Sequence, residues 1–175
     1  MKSIGLVIIL SIAAVYRRPL QACVFSRKIG YIYLMELVLA IVIATIFIFL
    51  AFLHIFWLFG GQWGMSAAVP TDLSGRRIFN PTRVGTLLVA IGLLIFAWVN
   101  LCAIGVLDVP IDAKYIRYGM YIVSGIFLLR FIGDMKFVGI FKKYRKTPFA
   151  RKDTYFYSPL CLFLALSNGF LALVL

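Results

Sequence analysis

The chain has 175 residues, of which 63% are hydrophobic and 14% are charged, and its formal net charge is +12. Soluble domains are close to half apolar, so this composition excludes an ordinary soluble protein. The length allows four membrane spans with short loops but leaves no room for an extra soluble enzyme domain. The excess of Lys and Arg is typical of the cytoplasmic loops of a membrane protein, and we predict no nucleic-acid partner.

The first apolar segment, residues 4–15, is too short to cross a membrane, because a spanning helix needs about 20 residues. Arg17, Arg18 and Pro19 follow it. A basic residue before an apolar run is typical of a signal peptide, but no clear small-residue cleavage site follows this one. The other interpretation is a short interfacial helix.

Four longer apolar stretches predict four transmembrane helices, at residues 36–59, 84–107, 115–133 and 158–175. In hydrocarbon every backbone amide needs an internal partner, and a helix provides one within a single segment. A membrane β-barrel would require alternating polar and apolar residues, which these stretches lack. The predicted fold class is therefore all-α, an integral membrane four-helix bundle, with the N-terminal interfacial helix left open.

Basic residues are concentrated in two of the three loops. Residues 60–83 contain three arginines, and residues 134–157 contain seven Lys and Arg against two Asp. The loop between the second and third spans contains Asp108, Asp112 and one Lys114. The positive-inside rule therefore places the two basic loops in the cytoplasm and the C-terminus outside, in a multi-pass protein of the bacterial inner membrane.

This topology conflicts with the basic N-terminal residues. If residues 4–15 span from the inside, Arg17 and Arg18 lie outside; if they lie on the cytoplasmic face, the first span begins on the wrong side. The conflict disappears if the natural chain begins at Met35. Our hypothesis is that residues 1–34 are an upstream extension and 35–175 the membrane domain; the alternative is a genuine amphipathic N-terminal anchor.

The first candidate site is at the end of the first span, where His54, Trp57, Gly60, Gly61 and Trp63 cluster. On a helix His54, Trp57 and Gly61 share one face. The glycines predict a helix end and the tryptophans an interfacial belt, which is the purely structural interpretation. His54, the only histidine, lies one turn inside the span. It is a candidate proton carrier or ligand contact, or an interhelical hydrogen-bonding residue.

The second candidate site surrounds Arg130, which interrupts the third span one turn before Asp134. Opposite charges one turn apart on a helix attract each other, which reduces the cost of burying them. Arg130 is also a candidate anchor for an acidic or phosphorylated group. Alternatively, its side chain simply extends to the membrane surface. Tyr155, Tyr157 and Ser158 begin the fourth span on the same side. We hypothesise that both candidate sites form one cytoplasm-facing polar pocket.

Several common site motifs are absent from the sequence. It has no phosphate-binding glycine loop, no His-Glu-x-x-His and no Gly-x-Ser-x-Gly. One histidine and three isolated cysteines do not support a transition-metal site. We therefore predict no metal and no cofactor. Asn100 and Asn168, inside the second and fourth spans, predict hydrogen bonds between helices.

The motifs of residues 54–64, Pro70, residues 133–134 and residues 150–160 together resemble the bacterial membrane family catalogued as domain of unknown function 3995. The His-x-x-Trp-x-x-Gly-Gly element and the Asp-x-x-Tyr-Ser-Pro-like element are the most specific. The resemblance covers about residues 35–175. It implies a four-helix inner-membrane protein without an established activity, and it agrees with a natural start at Met35.

These features favour a membrane bundle that binds a small lipophilic ligand or a membrane-protein partner through its polar pocket, with membrane lipids around it. One alternative is an enzyme acting on a lipid or isoprenoid-like substrate, with His54 as acid or base and Arg130 as anion clamp. Four-helix sterol-isomerase-like proteins provide the analogy, but they use several intramembrane acids that this chain lacks. The third hypothesis is a structural subunit or assembly factor of a membrane complex.

Overall fold

The computed structural model describes residue 31 and residues 33–69, 80–133 and 147–175. Most of the proposed extension at residues 1–34 lies outside the described residues, and so do Pro70, Asp134 and much of both basic loops. The chain forms two compact units, Met1–Val38 and Leu39–Leu175, and the bundle described below is the second unit. All regular secondary structure in the described ranges is helical, which confirms the predicted fold class.

Within the described ranges, four helices are long and apolar enough to cross a membrane. In chain order the elements are α1 (Tyr33–Leu58), α2 (Met65–Ala68), α3 (Arg83–Ala103), α4 (Ala113–Ile132), α5 (Pro148–Lys152), a π-helical turn (Asp153–Tyr157) and α6 (Ser158–Val174). The fourth span joins most of α5, the π-helical turn and α6 into one continuous helix, Phe149–Val174. The fourth span thus begins well before Ser158, the residue at which the sequence predicted its start.

Glycines with a positive φ end three of the described spans: Gly60 after α1, Gly105 after α3 and Gly133, with φ +82°, after α4. At the end of α1, Gly60 has φ +92° and donates to the Trp57 carbonyl, while Gly61 donates to the Phe56 carbonyl. This is the Schellman pattern, which satisfies the last carbonyls of a helix. Gly105, with φ +71°, ends α3 in the same way. The helix therefore stops at Ala103, although the apolar sequence continues to residue 107.

Contacts between the helices establish their directions. Ser124 contacts Ala165, whereas Arg130, further along α4, contacts the earlier residue Asp153, so α4 and α6 are antiparallel. A short loop joins α3 to α4, and the two helices pack together. The segment after α1 reaches the segment before α6, because α2 contacts α5. The C-terminal ends of α1 and α4 therefore lie at the same end of the bundle as the N-terminal ends of α3 and α6.

We call this the basic end, after its described cations, Arg83, Arg130, Arg151 and Lys152. The opposite end contains the loop between α3 and α4, with Asp108, Asp112 and Lys114.

The core is built around a stripe of residues on α1 spaced by three and four positions, the period of one helix face. Its fully buried members are Ala40, Ile43, Ala44, Phe47 and Ala51. The Phe47 ring lies 5.7 Å from the Phe96 ring of α3 and 5.4 Å from the Phe127 ring of α4, measured between centroids. Phe47 therefore joins three helices near the middle of the bundle, while large apolar side chains elsewhere on the spans are exposed.

Besides the contact between Arg130 and Asp153, two polar contacts within the described ranges connect the spans. The Asn100 amide donates to the Asn168 side-chain oxygen over 3.0 Å, and both residues are fully buried. The Ser124 hydroxyl donates to the Ala165 carbonyl over 2.7 Å. Gly169 permits this approach, since a Cβ there would lie 3.1 Å from the Ser124 hydroxyl. The predicted interhelical role of the two asparagines is confirmed.

Candidate functional site at the basic end

His54 extends the buried stripe of α1 toward the basic end, three residues after Ala51 and seven after Phe47. Its side chain is partly buried, and Nδ1 lies 2.8 Å from the Leu50 carbonyl oxygen. A carbonyl only accepts, so this hydrogen bond requires the proton on Nδ1 and leaves Nε2 as the acceptor of the neutral ring. The ring also packs edge-on against Trp57, with centroids 4.9 Å apart.

The residues after His54 form the helix end that the glycines predict. The Trp57 indole N–H donates to the Trp63 carbonyl over 2.8 Å, which closes the turn. Gly61 lies beyond the last residue of α1, and a side chain there would overlap the Phe56 ring. Trp63 itself is 72% exposed. These contacts give Trp57, Gly60 and Gly61 a structural role, and of this group only His54 lies on the core-facing stripe.

Arg130 forms an ion pair with Asp153, which was not among the candidate site residues predicted from the sequence. Arg130 Nη2 lies 3.2 Å from Asp153 Oδ1, and the Asp153 side chain is fully buried. Ser158 donates to the other carboxylate oxygen over 3.3 Å. Asp153 begins the π-helical turn, a feature often found at functional sites. The predicted partner, Asp134, lies outside the described residues, so that pairing stays a prediction.

One nitrogen of the Arg130 guanidinium, Nη1, is buried and has no hydrogen-bond partner among the described residues. Arg130 follows Phe127 by three residues and so continues the inner face of α4. At 1.5 Å of rise per residue, Arg130 lies about 5 Å and His54 about 10 Å from the level of the Phe47–Phe127 contact. Both are displaced toward the basic end, which places them at neighbouring depths.

The second span also contributes a polar side chain to this region. Thr86 is buried one turn before Ala90 on the inner stripe of α3, and its hydroxyl donates to the Thr82 carbonyl over 3.0 Å. Each of the four spans therefore has a buried or partly buried polar side chain toward the basic end, and we call this set the interior polar cluster. Its members are His54, Thr86, Arg130, Asp153 and Ser158. The contacts given above join three of its members, Arg130, Asp153 and Ser158.

The remaining candidate residues of the fourth span differ in their positions. Tyr155 is 82% exposed and lies on the outside of the bundle. Tyr157 is partly buried, and its ring packs against Phe149 and Phe156 at centroid distances of 6.2 and 5.6 Å. Tyr155 and Trp63 therefore lie at the outer surface. The cytoplasm-facing polar pocket itself stays a prediction.

The sequence did not identify Asp153 and Thr86 as candidate site residues, for different reasons. Asp153 follows Lys152 in a strongly basic stretch, so the sequence alone presents it as a loop residue. The available signal was its position at the start of the Asp-x-x-Tyr-Ser-Pro-like element, which in this chain reads Asp-Thr-Tyr-Phe-Tyr-Ser-Pro and places Asp153 five residues before Ser158. Thr86 carried no signal, because a threonine near a helix start usually has a capping role.

The other potential metal or thiol ligands are dispersed. Cys102 and Cys161 are free and buried. In the part of the chain that the structure describes, no three His, Cys, Asp or Glu residues are grouped to hold a metal ion.

Four apolar helices of spanning length, packed around one core with polar groups gathered at one end, define a multi-pass membrane bundle. The sequence profile of a family of proteins of unknown function, DUF3995, matches residues 47–168, and the chain belongs to that family. This confirms the family resemblance. The matched region contains every member of the interior polar cluster. No curated protein and no solved structure matches the chain.

Proposed function

We propose that the protein binds a small lipophilic ligand inside the bundle, with an oxygen of the ligand accepting hydrogen bonds from Arg130. The observation that carries the proposal is Arg130 Nη1, a buried donor that no described residue accepts from. Leaving a buried donor unpaired costs about 1–3 kcal/mol, and more when the donor is charged. A carbonyl, ester, carboxylate or phosphate oxygen of a ligand would remove that cost.

The surroundings of Arg130 support a ligand that is largely apolar. The interior polar cluster is followed toward the bundle centre by Phe47, Phe96 and Phe127, whose rings contact one another. A molecule with its oxygen at Arg130 would direct its hydrocarbon part toward these rings or toward lipid. Polar groups within spans usually face a bundle interior or an internal cavity, where they mark ligand and ion pathways.

His54 is the second polar contact that we propose for the ligand. Its Nδ1 is engaged by the Leu50 carbonyl, so Nε2 is the ring atom available to a ligand hydroxyl. With the basic loops in the cytoplasm, as the positive-inside rule predicts, the site would open toward the cytoplasmic leaflet.

The proposal is tested by the Arg130→Lys variant. Lysine keeps a positive charge for Asp153 but lacks the planar fork that offers Nη1. The protein is purified in nanodiscs formed directly from native membranes, and its retained lipophilic molecules are identified by mass spectrometry. A molecule retained by the wild type should fall about tenfold in occupancy in the variant, as expected for the loss of one charge-assisted hydrogen bond.

Arg117→Lys is the matched control, because Arg117 is on the same helix and its Nε is likewise buried without a partner among the described residues. Unlike Arg130, it lies near the start of α4, far along the helix from the ion pair with Asp153 and from the interior polar cluster. It should retain the molecule at the wild-type level. Thermal unfolding of both variants shows whether they fold. Equal occupancy in folded Arg130→Lys and wild-type protein contradicts the proposal, as does a wild type that retains only bulk phospholipid.

A further inference from the structure

Charge is distributed unequally between the two ends of the bundle. At the basic end Arg83, Arg151 and Lys152 are exposed, and within the described ranges no acidic residue forms an ion pair with them. At the opposite end Lys114 is paired with Asp112 over 3.2 Å. The surface of the basic end therefore presents unpaired cations.

Large aromatic side chains are exposed close to these cations. Phe59 and Trp63 follow α1 with exposures of 84% and 72%, and Tyr155 and Phe156, with 82% and 61%, lie beside Lys152 in the fourth span. The two groups belong to neighbouring segments, because α2 contacts α5. Tryptophan and tyrosine favour the depth of the lipid headgroups, where an apolar ring meets water.

We propose that the basic end binds anionic phospholipid headgroups from the surrounding membrane. Arg83, Arg151 and Lys152 would contact the phosphates, while the exposed aromatic rings lie against the acyl-chain boundary. Guanidinium and ammonium groups are the usual protein partners of phosphate. This outer surface is separate from the interior polar cluster, so the inference does not depend on the proposed ligand.

The test uses the double variant Arg151→Gln/Lys152→Gln, which removes two exposed cations while keeping long polar side chains. Wild-type and variant proteins are reconstituted in mixed vesicles of phosphatidylcholine and phosphatidylglycerol, and lipids retained after extraction are counted by native mass spectrometry. Each basic residue near an anionic surface contributes about fivefold in affinity, which corresponds to ~1 kcal/mol. We therefore expect a loss of phosphatidylglycerol preference of about 25-fold in the double variant.

Lys114→Gln/Arg117→Gln is the control, because it removes the same number of charges from the other end of the bundle. It should keep the preference for phosphatidylglycerol, and circular dichroism in pure phosphatidylcholine vesicles confirms that both double variants fold. High salt should reduce the wild-type preference, since exposed charges are screened. An equal preference in wild type and the Arg151/Lys152 variant, or an equal loss in the control, overturns the inference.

Discussion

Asn100 and Asn168 show how two single residues connect helices that are distant in sequence. Each amide nitrogen donates to a carbonyl of its own helix, at Phe96 and at Leu164, and Asn100 also donates to Asn168. Turning the Asn100 amide around would replace both donations by repulsion between oxygens, so the network determines its orientation. The remaining Asn100 oxygen is buried and has no partner among the described residues.

Replacing Asn100 or Asn168 by alanine should lower the free energy of unfolding by about 1 kcal/mol each, which is typical of hydrogen bonds between membrane helices. The double variant should lose less than the sum of the two, because either single change already breaks the shared bond. Reversible unfolding in mixed micelles measures all three variants. Additive losses would show that the two amides do not interact.

At the scale of the element, helix ends follow from local chemistry. Gly105 adopts φ +71°, and nothing lies within 4 Å of a Cβ placed there, so only its backbone conformation selects glycine. Gly92, within α3, also has open space where a Cβ would lie, but its backbone is not left-handed. Neither site is crowded, so the two glycines differ in backbone conformation and allow its effect on stability to be measured alone.

Gly105→Ala should destabilise the protein by about 1 kcal/mol, because an alanine is strained in the left-handed region. Gly92→Ala should leave stability unchanged or raise it by up to about 1 kcal/mol, since alanine is the better helix former. Thermal or denaturant unfolding of the two variants in the same detergent distinguishes them. A destabilised Gly92→Ala with an unaffected Gly105→Ala would contradict this account of the helix end.

For the molecule as a whole, the property to be determined is the orientation of the bundle in the membrane. The described contacts place the C-terminal ends of α1 and α4 with the N-terminal ends of α3 and α6, so both basic loops emerge from one end. Lys and Arg near the ends of spans resist translocation, and this bias sets orientation. Since both basic loops emerge from the same end, the positive-inside rule predicts that this end faces the cytoplasm.

Single cysteines test this orientation, at the exposed Gln62 for the basic end and the exposed Asp108 for the opposite end. They are introduced after replacing Cys23, Cys102 and Cys161 by alanine. A membrane-impermeant maleimide added to intact cells should label Asp108→Cys, whereas Gln62→Cys should react only after permeabilisation. The reverse pattern would place the basic end outside.

Features that depend on neighbouring residues were predictable from the sequence. The four spans follow from apolar runs of sufficient length, and the end of α1 follows from Gly60 and Gly61, because hydrogen bonding within a helix and its cap is local. The inward position of His54 was also suggested, since a lone polar ring in a span avoids lipid. These properties require no knowledge of which helices are neighbours.

Other features arise only when distant segments meet. Arg130 had a plausible partner one turn away, yet the described ion pair is with Asp153, which the π-helical turn buries against α4. The fourth span begins at Phe149 in the structure, although charged residues interrupt its first turns in the sequence. Composition and local spacing thus determined a basic, four-span membrane protein, whereas tertiary packing decided which polar groups share its interior, because pairing energies depend on contacts that sequence distance does not encode.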